Sequence, residues 1–106
     1  MNDAFEYDDI DRQVWEQELS PRLPERIYDV HSHTWRAREH RALESADPSV
    51  PSVIEEYPVD VLRGAHRLLF SGKRVGGLVF GSGDSTTDYE AQNRWLAQAA
   101  RQHGYE

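Results

Sequence analysis

Arg26-Ile27-Tyr28-Asp29-Val30-His31-Ser32-His33 is the stretch whose reading decides the fold. Ile27, Tyr28 and Val30 are strand-forming residues, so a buried strand is expected over roughly 26–31, running into a loop. A period of two sets Ile27, Asp29, His31 and His33 on one face and Tyr28 and Val30 on the other. Two imidazoles then stand at the carboxyl end of a strand, aimed to the same side.

A helix is expected before this strand over Ile10–Leu19, with Ile10, Val14 and Trp15 on one face and Leu19 extending it. Asp8, Asp9 and Asp11 suit its positive amino end. Ser20-Pro21 stops it, and Arg22–Glu25 is an extended connector between prolines. After the strand, Thr34–Glu44 reads as a charged helix and Ser45–Ser52 as a loop. Tyr57–Phe70 reads as a helix, with Pro58 in its first turn and Val61, Leu62, Ala65, Leu68 and Leu69 at helical spacing. Val75–Phe80 has the form of a second buried, parallel strand. Gly81–Ser85 is a tight loop. Thr87 with Glu90 suggests a capping box opening a helix over about 88–103, which Gly104 ends. Alternating strands and helices argue for an α/β fold with a parallel pair. Two strands do not make a self-sufficient parallel sheet, so the chain reads as the beginning of something larger.

The chain has 106 residues, 38% of them apolar and 29% charged, with a net charge of -7. Phosphate contacts need clustered basic residues, so this balance argues against a nucleic-acid partner. Five of the negative charges (Asp3, Glu6, Asp8, Asp9, Asp11) fall in the first eleven residues. Residues 1–9 therefore read as an acidic, frayed lead-in and 10–106 as the folded part. There is no cysteine, which excludes disulfides and thiolate metal sites and leaves His and carboxylate as metal ligands. No apolar run approaches the ~18 residues of a membrane span, and the first residues lack the pattern of a signal peptide. A cytoplasmic, soluble protein without a membrane partner is expected.

Asp29-Val30-His31-Ser32-His33-Thr34-Trp35 resembles the first-strand signature of the amidohydrolase superfamily, closest to the amidohydrolase-related metal-dependent hydrolases. A helix, then Leu23-Pro24, then the strand is similar to how that family begins. Arg74–Phe80 looks like its second barrel strand and Tyr89–Arg101 like the helix after it. The resemblance implies an α/β architecture: the first two βα units of an eight-stranded (β/α)8 barrel, preceded by an amino-terminal helix. It implies His31 and His33 as ligands of a divalent metal (zinc first, manganese or iron as alternatives), and Asp29, on the same face by period two, is placed to orient one of them without binding the ion. Trp35 and Arg36, just after the pair, are weaker candidates for a substrate pocket. A complete barrel needs at least ~200 residues. The family's further ligands and its acid/base residue come from later strands, so the chain alone should be inactive, bind metal weakly and be marginally stable.

The function implied is metal-activated attack of water on a carbonyl or similar centre of a small-molecule substrate. Two alternatives stay open. One is a non-catalytic interaction module, including association with further copies of the chain. The other is a metal phosphoesterase of the PHP family, whose first motif is similar, although Trp35-Arg36-Ala37-Arg38 stands where a Ser-Asp-Gly stretch is usual. Gly81-Ser82-Gly83-Asp84 follows a strand as a phosphate loop would, but it lacks the third glycine and the Gly-Lys-Ser/Thr of such loops and reads as a plain turn. His40, His66 and His103 read as surface or packing residues on helices.

Overall fold

The computed structural model describes residues 6–39, 56–81, 83 and 87–106. Their order is α1 (Asp9–Val14), β1 (Arg26–His33), α2 (Val59–Leu69), β2 (Arg74–Phe80) and α3 (Tyr89–His103). The two strands pair in parallel, so the chain is α/β, with α2 in the crossover between them. Parallel pairing follows from the connection: a helix returns the chain to the strand's starting end.

Helix α1 begins one residue earlier than expected because Asp8 caps it. The Asp8 carboxylate accepts from the Ile10 and Asp11 amides, and Asp11 reaches back to the Asp8 amide. The acidic lead-in is therefore working structure by Asp8. A π-helical turn over Trp15–Leu19 and a 3-10 turn over Ser20–Arg22 follow. Of the apolar face proposed for this helix only Trp15 is buried; its indole donates to the Ser71 carbonyl at 3.0 Å and meets Phe70 edge-on. Ile10, Val14 and Leu19 are exposed.

The charged helix expected from Thr34 is absent over its described part. Trp35 instead pairs with Tyr57 in an isolated antiparallel bridge, and Ala37–Glu39 forms a 3-10 turn. Residues 40–55, including His40, Arg41 and the loop placed over Ser45–Ser52, lie outside the described residues, as do 82 and 84–86 of the glycine loop.

Helix α2 buries Val59, Leu62, Ala65 and His66. Tyr57 and Pro58 precede it rather than belonging to it. The cap of α3 is Asp88, whose carboxylate accepts from the Ala91 amide, not Thr87. The reason is local: Thr87 is buried with its hydroxyl packed against the Gly83 backbone, while Asp88 stands at the helix mouth. Gly104 ends α3 at φ 77, a left-handed conformation that suits glycine. The core unites Val59 and Leu62 of α2, Val79 of β2, Ala99 and Ala100 of α3, and Tyr105. Both helices thus cover one face of the sheet. The last residue joins the sheet too: the Glu106 amide donates to the Gly77 carbonyl and the Val79 amide to the Glu106 carbonyl, one repeat of a parallel ladder on the outer edge of β2. No helix among the described residues is long and apolar enough to cross a membrane.

Candidate metal centre

The register between the strands decides which way the site residues face. Asp29 stands opposite Gly77 and Ser32 opposite Val79. Two residues of β1, Val30 and His31, therefore face the single residue Leu78. This is a β-bulge, and it inverts the side-chain alternation beyond it. Asp29 lies with Gly77 and Val79 on the helix-covered face, and so does Ser32, which is buried. His31 and His33 lie on the other, open face, where both rings contact Phe80. The expectation that Asp29 shares a face with the two histidines is thus corrected, because period-two counting fails across an inserted residue.

The histidines are brought together as the spacing predicts. The two Nε2 atoms stand 3.0 Å apart. Nitrogens bound ~2.0–2.1 Å from one zinc ion, at angles between octahedral and tetrahedral, are roughly 2.8–3.4 Å apart. The separation fits two ligands of one ion. The Nδ1 of His33 lies 3.1 Å from the Gly81 carbonyl. A carbonyl only accepts, so Nδ1 carries the proton and Nε2 keeps its lone pair for a metal. With no ion bound, the same lone pair accepts from the His31 Nε2–H. The donor set is therefore two imidazoles, one with its tautomer fixed. Among the described residues no group of three or more His, Cys, Asp or Glu side chains gathers as a complete metal site.

Gly81 and its neighbour are built for this. A Cβ at Gly81 would stand 2.2 Å from the Gln92 amide, and Gln92 is 1% exposed. Only glycine lets the end of β2 close on α3 and so presents its carbonyl to His33. In the sequence Gly81 is spelled like a plain turn residue, and the Gly-x-Gly after an apolar strand is the one signal of its role.

Behind the sheet, Asp29 acts on His31 through the backbone. Its Oδ1 accepts from the His31 amide at 3.0 Å, and its Oδ2 lies 3.1 Å from Nε2 of His66. The Nδ1 of His66 is 2.8 Å from the Tyr105 hydroxyl. A pattern in which Nε2–H donates to Asp29 and Tyr105 O–H donates to Nδ1 satisfies all three groups. Partial burial pushes the Asp29 carboxyl upward. The Ser32 hydroxyl, which leans toward it without closing a well-formed hydrogen bond, the His31 amide and His66 together outweigh that and hold it below the ordinary carboxylate value. Burial raises the Tyr105 phenol, against the opposing pull of Arg63 and Arg67. His66 is 5% exposed, a buried polar link that the sequence offered only as a packing residue.

Trp35 stacks on Tyr57 with ring centroids 5.5 Å apart. Arg36 forms a two-pronged ion pair with buried Glu39 and lies 4.7 Å over the Trp95 ring. Its guanidinium is engaged in holding the Ala37–Glu39 turn against α3.

No family model, curated protein sequence or solved structure matches the chain.

Proposed function

We propose that this chain is the amino-terminal portion of a metal-dependent hydrolase of amidohydrolase type, holding the first two βα units of an eight-stranded barrel. The observation that carries the reading is the His31–His33 pair: two Nε2 atoms 3.0 Å apart at the carboxyl end of a parallel strand, with His33 held in the ligating tautomer by the Gly81 carbonyl just past β2. The carboxyl ends of the strands are where such barrels gather catalytic groups. The hold of Glu106 on the outer edge of β2 supports a sheet that continues in the same direction.

His31 and His33 would hold the ion, zinc by preference, and it would supply Lewis acidity and a water acidified for attack on a carbonyl or similar centre. His33 keeps its lone pair forward through Gly81. Asp29 fixes the backbone of His31 at the bulge and does not touch the ion itself. Two ligands hold a metal loosely, so the remaining ligands and the acid/base group belong to later strands of the barrel.

Calorimetric titration of the chain with zinc tests this. The expected result is one equivalent bound, at micromolar strength or weaker, and lost in both His31→Ala and His33→Ala. Zinc binding that survives both substitutions would overturn the reading.

A second reading, an interaction module, is favoured by one observation. Tyr28, Val30, Leu78 and Phe80 leave the open face of the sheet apolar and exposed.

A further inference from the structure

At the other end of the sheet, where the strands begin, a cavity of about 220 Å³ opens between α2 and the start of β2. Its walls include Arg63 and Arg67 of α2, Lys73 and Arg74 at the start of β2, and His66 and Tyr105. Four of the chain's twelve basic residues thus converge on one hollow of a protein whose net charge is -7. None of the residues lining it is a carboxylate.

Among the described residues, Arg63, Arg67 and Lys73 have no carboxylate partner, and backbone carbonyls anchor two of them. Lys73 donates to the Ser20 and Leu23 carbonyls at 2.9 and 3.0 Å, which leaves the third N–H of its ammonium. Arg63 donates one N–H to the His103 carbonyl, and its other four have no partner among the described residues. Arg67, one turn further along α2, has no carboxylate partner among the described residues. Among the described residues, Arg74 alone of the four is paired, with Glu25 at 3.1 Å. Glu16 lines an adjoining hollow with Arg67 without forming an ion pair with it, and Asp29 lies behind His66 and is hydrogen-bonded to it. Several fixed donors around a concave site, with an excess of positive charge, match a compact dianion rich in acceptor oxygens.

We propose that this hollow binds a phosphate group, as inorganic phosphate or as the head of a small phosphomonoester. The site is separate from the His31–His33 pair and does not depend on the metal reading.

Calorimetric titration of the metal-free chain with inorganic phosphate and, separately, with glycerol phosphate, at constant ionic strength, tests it. Saturable one-to-one binding of at least one of the two is expected, and the tighter of them identifies the source of the phosphate. Arg67→Gln, on the exposed surface of α2, should weaken binding about tenfold or more, since a charge-assisted contact is lost. Arg67→Lys should recover part of that. Arg94→Gln, which removes another exposed arginine, on α3, and His31→Ala should leave it unchanged. Absence of saturation with both ligands, or equal losses in Arg67→Gln and Arg94→Gln, would overturn the proposal. A loss in His31→Ala would also overturn it, because the phosphate would then be reporting the histidine pair.

Discussion

The two faces of the sheet divide the labour of the molecule. On one, Val79, Ser32 and Asp29 turn toward α2 and α3, and Asp29 is tied into a chain with His66 and Tyr105. On the other, Val30 is 67% exposed, Phe80 40% and Leu78 37%, and the two imidazoles stand among them. One inserted residue separates the two regimes. Without the bulge, Asp29, His31 and His33 would all point into the helices and the imidazoles would compete for core space. With it, Asp29 stays behind the sheet as a support while the histidines reach the open side. The lesson is that stability and site chemistry are assigned to opposite faces by a local irregularity of the backbone.

If the account is right, perturbations at the seam between the faces should be the most severe. Gly81→Val should have the largest effect, since its Cβ would strike the buried Gln92 side chain. A loss of roughly 2–3 kcal/mol is expected from such overpacking, read by urea denaturation, with zinc binding weakened because the carbonyl that fixes His33 is displaced. Unchanged stability would mean that the end of β2 does not press on α3. Asp29→Ala should come next, at about 1–3 kcal/mol, because it strands both the His31 amide and the His66 Nε2–H. If it proves neutral, the link behind the sheet is not formed.

Tyr105→Phe should cost about 1 kcal/mol at neutral pH through its lost hydrogen bond to His66. It also has a pH signature. The phenol is raised above its ordinary 10.0 in the folded state, so the neutral form is favoured by folding. That contribution is complete below pH 10 and is lost as pH rises through the higher folded value. Stability measured on the alkaline side should fall less steeply in Tyr105→Phe than in the parent. An identical alkaline slope would contradict the burial of this hydroxyl. The smallest effect is expected at Val30→Thr on the open face, within about 0.5 kcal/mol, against a clearly larger loss for Val79→Thr on the packed one. Equal losses would erase the difference between the faces.

The sequence made much of this visible. Ile27, Tyr28 and Val30 marked β1, Val75–Phe80 marked β2, the spacing of Leu62 and Ala65 marked α2, and Gly104 marked the end of α3. The convergence of His31 and His33 was also legible, because a period of two survives beyond the bulge. The position of Asp29 was not, since counting by twos assumes an unbroken strand and no residue type announces an insertion in a parallel pair. His66 was opaque for a different reason: on a helix, a histidine buried against two partners is spelled like one facing water. The helix expected from Thr34 failed because Trp35 found Tyr57 and Arg36 found Glu39, contacts that local propensity does not weigh.

The central claim is that His31 and His33 share one ion through their Nε2 atoms. Nitrogen-detected NMR of the imidazole rings, recorded during a zinc titration, tests it most directly. The account predicts that His33 starts with Nδ1 protonated, and that the Nε2 resonances of both residues shift together and level off at one equivalent of zinc, while His66 and His103 stay still. A response confined to one of the two rings, or coordination through Nδ1 of His33, would contradict it.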